Sequence, residues 1–270
     1  MIPTQLFWDR VELERACIRS VDPKKIENQD DEYEITCLCK YKLRVKSTDL
    51  SVGANLMRDG YWEIWITLFL ARVIPFGGVA IDVGANLGYY TMMFSDLVGP
   101  LGKVIAIEPQ QELCRMLMDS AKANNVNNID IYQVMAFDKR DKIKFYVNPF
   151  MLGDASFIDR GNNEESIVDA VALDDIVSGP VDFVKIDVEG SEEQVIDGMQ
   201  RIIKENPEIS VALEWVPERI SSPEKFLSSL RKDFDIYNIT LDSKLVFASD
   251  RKILMGPDWD MLFLKGRGVK

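Results

Sequence analysis

The stretch V-A-I-D-V-G-A-N-L-G-Y-Y-T, from Val79 to Thr91, decides the fold of this chain. Its first residues form an apolar run that is typical of a buried parallel strand, and its last residues can begin a helix. Between them, Gly84, Asn86 and Gly88 predict a tight turn, with backbone N–H groups near a helix N-terminus and backbone that a ligand can approach closely. Asp82, in the strand, needs a hydrogen-bond partner or a cationic ligand group, such as an ammonium, to offset its burial. We therefore expect a ligand-binding loop here.

The spacing within this loop separates two cofactor classes. A dinucleotide fingerprint reads G-x-G-x-x-G, and its second glycine lets the backbone approach a pyrophosphate. In this chain Asn86 occupies that place, so the pattern D-x-G-x-N-x-G better suits a cofactor without a pyrophosphate, such as S-adenosylmethionine. The alternative is a tight turn in an α/β core that binds no ligand.

The next apolar run ends in a second acidic residue. The segment K-V-I-A-I-E-P, from Lys103 to Pro109, predicts a parallel strand that ends at Glu108. Glu108 follows Gly88 by twenty residues, a distance at which an acidic residue can accept hydrogen bonds from both ribose hydroxyls. The alternative is a strand-end carboxylate that contacts only solvent.

Strands and helices alternate along the chain from this point. The pattern predicts three strands and two intervening helices, at 79–84, 88–98, 103–108, 111–124 and 129–134. Such βαβα order predicts a parallel sheet with helices on both faces, in which ligands bind at the carboxyl ends of the strands. Met135, Ala136 and Phe137 follow the third strand at that edge, where an adenine ring could lie against them.

The order of elements divides the chain into two parts. Residues 1–78 form an N-terminal extension with a hairpin over Tyr33 to Val45 and a helix over Tyr61 to Ile74, and residues 79–270 form the cofactor-binding domain. Residues 138–176 interrupt the alternation, and we interpret them as an inserted hairpin, with Asp154 in a polar loop. Loops at the rim of such a site usually determine substrate choice.

Glu63 stands at the start of the helix predicted in the N-terminal extension. A carboxylate at this position can cap the helix, or it can reach the ammonium group of a bound cofactor. We interpret Glu63 as the cap and keep the contact with the cofactor as the alternative.

Composition and charge exclude several classes of protein. The chain has 270 residues and a formal net charge of −12, which argues against a nucleic-acid partner because phosphate binding depends on clustered Lys and Arg. No apolar run reaches the roughly 18 residues of a membrane helix, and the amino-terminal sequence M-I-P-T-Q-L-F-W-D-R lacks the features of a secretory signal. We expect a cytoplasmic protein that does not bind a membrane, with its four cysteines reduced.

A second charged motif is V-D-F-V-K-I-D-V-E-G-S-E, from Val181 to Glu192. Lys185, Asp187 and Glu189 interrupt an apolar run, and three charges would be costly in a purely structural buried strand. Because histidine is absent from the chain, proton transfer must use Asp, Glu, Lys, Tyr or water. An ion pair of Lys185 with Asp187 or Glu189 is the structural alternative. We expect a helix from Ser191 to about residue 204 after this strand.

Taken together, the motifs D-V-G-A-N-L-G-Y-Y-T, I-E-P, L-D-D and V-K-I-D-V-E-G-S-E resemble those of the FkbM family of S-adenosylmethionine-dependent methyltransferases. The likeness spans about Gly60 to Trp215. It implies the class I methyltransferase fold, an α/β, Rossmann-like sheet of seven mostly parallel strands, one of them antiparallel, with helices on both faces. It also implies O-methylation of a hydroxyl, so the expected partner is a small-molecule or glycan substrate such as a sugar or a natural product, and the oligomeric state stays open.

The resemblance also assigns site residues by position. It implies that Asp82, Gly84, Asn86 and Gly88 hold the methionyl end of the cofactor and that Glu108 holds the ribose. Ala136 would lie near the adenine, and Asp187 and Glu189 would face the methyl group. The complete set of expected cofactor-binding residues is Glu63, Asp82, Gly84, Asn86, Gly88, Tyr90, Glu108, Pro109, Ala136 and Phe137.

Methyl transfer to an alcohol needs correct positioning of the acceptor and removal of its proton. Asp187 is the expected base, and Glu189 and Glu214 are alternates. Asp187 and Glu214 are also candidate ligands for Mg²⁺ or Mn²⁺, which would acidify a sugar hydroxyl. Lys185 would tune Asp187 by its charge, or would be the base itself if burial removed its proton.

Three other functions compete with this interpretation. A nicotinamide-dependent oxidoreductase is opposed by Asn86 and by the lack of a Tyr-x-x-x-Lys or histidine-based hydride site. A nucleic-acid methyltransferase would be expected to carry an N-P-P-Y-type tetrapeptide where this chain reads D-V-E-G. A non-catalytic nucleoside-binding partner domain would not need the carboxylates Asp187 and Glu189.

Overall fold

The computed structural model describes residues 9–27, 29, 31–159, 161 and 164–268. The N-terminal elements are α1 (Arg10–Ser20), β1 (Lys24–Lys25), β2 (Glu32–Cys37), β3 (Tyr41–Lys46), α2 (Val52–Asp59) and α3 (Ile64–Val73). β2 and β3 pair antiparallel from Glu32 opposite Lys46 to Cys37 opposite Tyr41, in the segment where the sequence predicts a hairpin. Together with β1 they form a three-stranded sheet.

The first half of the core follows the predicted alternation closely. Its elements are β4 (Val79–Val83), α4 (Tyr89–Val98), β5 (Lys103–Ile107), α5 (Gln111–Ala123) and β6 (Ile129–Tyr132). β4, β5 and β6 are buried or half-buried apolar runs and pair in parallel. α5 buries a stripe at helical spacing that includes Leu113, Leu117 and Ser120, and β3 packs against this helix.

The interruption of the alternation contains more strands than a hairpin. Its elements are β7 (Met135–Ala136), β8 (Asp141–Asn148), β9 (Met151–Ser156) and β10 (Glu164–Val171). They form a second sheet in the order β7-β10-β8-β9. Asp154 therefore lies in a strand and not in a loop, because β9 pairs with β8 at Ser156 opposite Tyr146 and Met151 opposite Asn148.

The second half of the core returns to the central sheet. Its elements are α6 (Leu173–Ile176), β11 (Phe183–Ile186), α7 (Glu192–Asp197), α8 (Gln200–Glu205), β12 (Ser210–Trp215), α9 (Pro223–Asp233), β13 (Phe234–Ile239), β14 (Leu245–Phe247), α10 (Asp250–Leu254) and β15 (Asp260–Gly266). The single helix expected from Ser191 to about residue 204 is wrong, because α7 and α8 are separate. The chain approaches Phe137 between them so closely that a Cβ on Gly198 would lie 2.0 Å from the Phe137 carbonyl oxygen.

The central sheet has the strand order β14-β13-β15-β12-β11-β4-β5-β6. β12, β11, β4, β5 and β6 are parallel neighbours, and β15 runs antiparallel to both strands beside it. Seven of these strands give the mostly parallel sheet expected from the resemblance, and the short strand β14 adds an eighth at the edge.

The two faces of the central sheet are covered by different parts of the chain. The face that carries Ala80, Ala106 and Ala212 packs against α3, α4 and α5 and against the N-terminal elements. The opposite face, with Ile81 and Val184, packs against the helices that follow residue 172. In the part of the chain that the structure describes, no helix is long and apolar enough to cross a membrane.

Candidate active site

Two adjoining cavities lie at the carboxyl ends of β4, β5, β11 and β12. The large cavity has a volume of about 620 Å³ and the narrow cavity a volume of about 50 Å³. They share a wall made of Gly84, Asn86, Gly153, Asp187 and Glu189. Residues from the two strongest sequence motifs therefore meet at one boundary.

The loop after β4 is shaped by two close approaches. Gly84 has a φ of +79°, and a Cβ built on it would lie 1.8 Å from the carbonyl oxygen of Asp187, so only glycine fits. Asn86 also adopts a left-handed conformation, with a φ of 52°. Gly88 packs on α5, because a Cβ there would lie 2.2 Å from Leu117. It lines neither cavity, so its role is to bring two helices together.

Glu108 lies in the narrow cavity and is fixed by two backbone donors. Asn86 N–H donates to its Oε2 at 2.9 Å, and Gln110 N–H donates to its Oε1 at 2.9 Å. Burial raises the pKa of Glu108 to about 7, although these hydrogen bonds favour the charged form. Each carboxylate oxygen keeps a second lone pair, so Glu108 can still accept two hydroxyl groups of a ligand.

Asp82 is enclosed and does not line either cavity. Thr91 Oγ1 donates to its Oδ2 at 2.6 Å, whereas its Oδ1 is buried without a hydrogen-bond partner. Lys185 stands opposite Asp82 in the register of β11 and β4. Burial raises the pKa of Asp82 to about 6, against the opposite effect of Lys185. Because strand side chains alternate, Asp82 points to the face covered by α4, and it acts on the cavities through its charge, by its interactions with Lys185, Asp187 and Glu108.

Lys185 is the buried cation at the centre of the site. Its Nζ donates to Asp187 Oδ2 at 2.8 Å and lies 4.7 Å from the centre of the Tyr90 ring. Burial disfavours its charge, but Asp187, Asp82 and Glu63 more than offset this effect and hold the pKa of Lys185 above its usual value. Lys185 therefore stays protonated, which does not fit the alternative in which it acts as a base.

The interpretation of Glu63 as a helix cap is wrong. Glu63 is the residue before α3, but its side chain makes no capping hydrogen bond. Its Oε2 instead accepts a hydrogen bond from the Tyr90 hydroxyl at 2.8 Å, inside the large cavity. Burial and then Asp187 raise the pKa of Glu63 to about 7, while Lys185 lowers it. The backbone conformation explains the failure, since a capping residue normally has an extended backbone, whereas Glu63 is left-handed with a φ of 38°.

Arg219 and Trp259, which the sequence did not predict, contact two of the predicted carboxylates. Arg219 donates from Nη1 to Glu214 Oε2 at 2.9 Å, and its Nη2 lies 2.8 Å from Glu189 Oε2. Trp259 Nε1 donates to the other oxygen of Glu214 at 2.6 Å. Burial raises the pKa of Glu214 to about 9, with further contributions from Asp187 and Glu189 and an opposing one from Arg219.

The carboxylates proposed as metal ligands lie close together, but their oxygens already accept hydrogen bonds from side chains of the protein. Oxygen atoms of Asp187, Glu189 and Glu214 lie within 4.8 Å of one another. Lys185 holds Asp187, Arg219 bridges Glu189 and Glu214, and Trp259 takes the remaining oxygen of Glu214. Lys185 and Arg219 already neutralise part of the charge of this cluster, and Glu214 has a donor on both oxygens, so the arrangement is that of an ion-pair network more than of the carboxylate cage that Mg²⁺ or Mn²⁺ prefers.

β9 forms a strap across both cavities. Met151 and Asp154 line the large cavity, Leu152 and Ala155 line the narrow one, and Gly153 lines both. The strap is held at both ends, since Leu152 N–H donates to Asp49 at 3.2 Å and Ser156 Oγ donates to the Glu189 carbonyl at 2.7 Å. The sequence gives β9 little alternation of apolar and polar residues, which is why it was not recognised as a strand.

The outer wall of the large cavity is aromatic. Tyr61, Trp62, Trp65 and Trp259 line it, and the Trp65 and Trp259 rings meet edge to face with centres 6.3 Å apart. Trp62 precedes α3, Trp65 lies in the first turn of α3, and Trp259 comes from the segment before β15. The wall thus forms only when the segment around the start of α3 packs against the segment before β15.

Most of the residues predicted for the site lie around the two cavities. The predicted residues in the large cavity are Glu63, Gly84, Asn86, Tyr90, Lys185, Asp187, Glu189 and Glu214. The predicted residues in the narrow cavity are Gly84, Asn86, Glu108, Pro109, Ala136, Asp187 and Glu189. Asp82, Gly88 and Phe137 line neither. Phe137 instead packs its ring against Phe157, with centres 5.9 Å apart, because the adjacent residue Ala136 takes the side that faces the cavity.

Several solved structures are similar to this chain. The FkbM methyltransferase from Methylobacillus flagellatus KT shares 19% identity over 69% of this chain, with a TM-score of 0.47, and this chain spans 43% of its length. A SAM-dependent methyltransferase from Aquifex aeolicus shares 14% identity over 72% of this chain and 83% of its own, with a TM-score of 0.41. An rRNA methylase from Streptococcus thermophilus shares 12% identity over 73% of this chain and 92% of its own, with a TM-score of 0.43.

No curated protein sequence matches the chain. Residues 82–236 match the family described as the methyltransferase FkbM domain. This match begins at Asp82 in β4, just before the glycine loop, contains Glu108, Asp187 and Glu214, and ends within β13. It therefore covers more than half of the chain and the whole lining of the narrow cavity. The chain belongs to the FkbM methyltransferase family.

Proposed function

We propose that this protein transfers a methyl group from S-adenosylmethionine to a hydroxyl group of a carbohydrate or another natural product. The observation that carries the proposal is the position of Asp187, which is fixed by Lys185 in the wall shared by the two cavities. A base at this boundary can contact an acceptor in the large cavity while the nucleoside contacts Glu108 and Ala136, which line the narrow one.

The residues around the narrow cavity fit an adenosine group. Glu108 presents a fixed carboxylate with lone pairs left for two ribose hydroxyls. Pro109 and Ala136 supply apolar surface for an adenine ring. The methionyl end would then extend past Gly84 and Asn86 toward Glu63, whose carboxylate suits an ammonium group. Glu63 thereby takes the role that the sequence assigned to Asp82.

Bound S-adenosylmethionine supplies an electrophilic methyl group on a sulfonium sulfur. Asp187 would accept the proton of the acceptor hydroxyl as its oxygen takes the methyl group, while the methyl–sulfur bond breaks and its electron pair stays on the sulfur of S-adenosylhomocysteine. Asp187 Oδ1 is the atom for this task because Oδ2 accepts from Lys185. Lys185, whose ammonium lies over the Tyr90 ring, keeps Asp187 in one orientation. Such fixed positioning accounts for a large part of the rate when two groups must approach in line.

The lining of the large cavity supports an acceptor without phosphate groups. Its ionisable carboxylates are Asp59, Glu63, Asp154, Asp187, Glu189 and Glu214, and its cationic side chains are Lys185 and Arg219. This excess of negative charge repels anionic acceptors, including nucleic acids. The aromatic wall offers flat apolar surface to the ring of a sugar or a natural product.

The Asp187→Asn variant tests the proposal. We expect its affinity for S-adenosylhomocysteine to stay near that of the wild type, while turnover with a panel of hydroxylated glycosides falls by roughly 10²–10⁴-fold, as expected for a positioned base. Formation of S-adenosylhomocysteine measures turnover. Asp169→Asn is the matched control, because Asp169 forms an exposed pair with Lys142 at the same distance of 2.8 Å.

Full turnover in folded Asp187→Asn would show that Asp187 is not the base of the reaction. Wild-type protein that binds the cofactor but methylates only nitrogen or carbon acceptors would retain methyl transfer and refute the hydroxyl acceptor.

A further inference from the structure

Two cysteine thiols from different elements lie in contact beside the N-terminal helix. Cys17 lies on the buried face of α1, and Cys39 lies in the turn between β2 and β3. Their sulfur atoms are 3.7 Å apart. Cys17 is completely buried, whereas Cys39 is partly exposed. One thiol of the pair is therefore open to a reagent in solution, and the other lies next to it in the interior.

The fold holds the two thiols in place from both sides. Leu38 and Cys39 have φ angles of 48° and 56°, as a type I′ hairpin turn requires at its two central residues. Leu38 N–H donates to the Gly60 carbonyl oxygen at 2.8 Å. On the other side, a Cβ on Gly60 would lie 3.0 Å from the Cys17 carbonyl oxygen. Gly60 therefore contacts both α1 and the turn.

Gly60 leads directly into the wall of the large cavity. The next three residues, Tyr61, Trp62 and Glu63, line this cavity. A covalent bond between the two elements that contact Gly60 would therefore hold the base of this wall.

The other two cysteines differ from Cys39 in their surroundings. Cys37 and Cys114 are buried, and the Cys114 thiol donates to the Glu108 carbonyl oxygen at 3.1 Å. Burial raises the pKa of Cys17, Cys37 and Cys114, so these thiols form little thiolate, which is the reactive form. The first reaction with an oxidant therefore falls to Cys39.

We propose that Cys17 and Cys39 are a redox site, which a low-molecular-weight disulfide such as oxidised glutathione converts into an internal disulfide that joins α1 to the β2–β3 turn. The two sulfur atoms need only approach from 3.7 Å to a bond length of about 2 Å, a movement that rotation of the two side chains can supply.

The reaction is a double thiol–disulfide exchange. The Cys39 thiolate attacks one sulfur of oxidised glutathione and expels a glutathione thiolate, which leaves a mixed disulfide on Cys39. Cys17 then loses its proton, its sulfur attacks the Cys39 sulfur, and the second glutathione thiolate leaves. The two protein thiols are thereby oxidised and one oxidised glutathione is reduced to two glutathione molecules, which take up the two protons through solvent.

Mass spectrometry of the purified full-length chain, treated with oxidised glutathione, tests this site without methyl donor or acceptor. We expect wild-type protein to lose two hydrogen atoms in mass and to give a peptide linked between Cys17 and Cys39, and dithiothreitol to reverse both changes. Cys17→Ala should stop at the mixed disulfide, with one glutathionyl group on Cys39. Cys39→Ser should react at least about tenfold more slowly, because its remaining thiols are buried.

Cys37→Ala and Cys114→Ala are the matched controls, since each removes one buried cysteine outside the pair. Both should form the disulfide as the wild type does. If Cys17→Ala does not fold, Cys17→Ser removes the same thiol with a smaller change in size. Folded wild-type protein that does not react, that stops at the mixed disulfide or that links any other two cysteines would overturn the inference.

The melting temperature gives an independent measurement. The disulfide joins residues that are 22 positions apart and so restricts the unfolded chain. We expect the oxidised wild type to melt about 4–10 °C above the reduced protein, and Cys39→Ser to melt at the same temperature with and without oxidant. An oxidised wild type that melts no higher than the reduced protein would contradict a disulfide that joins α1 to the turn without strain. No step uses S-adenosylmethionine, so these outcomes are distinct from a failure of the proposed function.

Discussion

Glu108 shows how a single buried carboxylate can be prepared for a ligand. Its two oxygens already accept backbone hydrogen bonds from Asn86 and Gln110, so its orientation is set before any ribose arrives. We expect Glu108→Ala to weaken binding of S-adenosylhomocysteine about ten- to a hundredfold, because hydrogen bonds to a charged acceptor contribute roughly 1.5–3 kcal/mol. Isothermal titration calorimetry measures the change.

The control for this substitution is Glu205→Ala, which removes an exposed carboxylate on α8 far from both cavities. It should bind as the wild type does. An unchanged dissociation constant in Glu108→Ala would show that this carboxylate makes no contact with the cofactor.

At this scale, the sequence locates the residues at strand ends and misses those on connecting segments. Asp187 and Glu108 were found because the carboxyl ends of parallel strands must lie along one edge. Arg219 and Trp259 could not be found in this way, because the path of the chain after β12 and before β15 depends on tertiary packing. Arg219 does follow Glu214 by five residues, which is the one local signal that pairs them.

Among the secondary-structure elements of the site, the carboxyl ends of β4 and β11 approach each other most closely. Their contact allows no side chain at Gly84, where a Cβ would lie 1.8 Å from backbone. We expect Gly84→Ala to separate the two strand ends, to abolish binding of S-adenosylhomocysteine and to lower the free energy of unfolding. Urea unfolding and calorimetric titration measure the two effects.

Gly77→Ala is a matched control, because Gly77 has the same φ of +79° and no atom within 4 Å of an added Cβ. Gly77→Ala should lower the free energy of unfolding by only roughly 1–2 kcal/mol, the cost of alanine in a left-handed conformation. Gly84→Ala should lower it by at least about 2 kcal/mol more, because of the steric clash. Equal losses in both variants, with cofactor binding retained, would contradict a tight strand contact.

The elements themselves were predictable where periodicity was strong. β4, α4, β5 and α5 lie within a residue or two of their predicted bounds. β9 was missed because Gly153 and Asp154 break its apolar pattern, and because it is held by side chains distant in sequence, such as Asp49. The break between α7 and α8 arises from contact with Phe137, which local propensity does not encode.

For the whole molecule, the buried carboxylates make stability depend on pH. Burial raises the pKa of Asp82 to about 6, that of Glu63 and Glu108 to about 7 and that of Glu214 to about 9. Each raised pKa means that the folded state binds a proton more tightly than the unfolded state does. Protonation of these carboxylates therefore stabilises the fold fully below about pH 4, and this stabilisation is lost as the pH rises through the pKa of the folded state.

We therefore expect the melting temperature of ligand-free protein to fall between pH 6 and pH 9, by about 2–4 °C for each kcal/mol lost in a protein of this size. Differential scanning calorimetry measures the trend. Asp82→Asn should make the melting temperature less dependent on pH near pH 6, since it removes the ionisation of this carboxyl group. A melting temperature that is constant or rises over this range would contradict the burial of these groups.

The central claim is that the two cavities form one site for S-adenosylmethionine, and isothermal titration of the purified chain tests it most directly. We predict that S-adenosylhomocysteine binds one molecule per chain and that NAD⁺ neither binds nor competes, because Asn86 stands where a pyrophosphate site needs glycine. Binding of NAD⁺ with no response to S-adenosylhomocysteine would contradict the account.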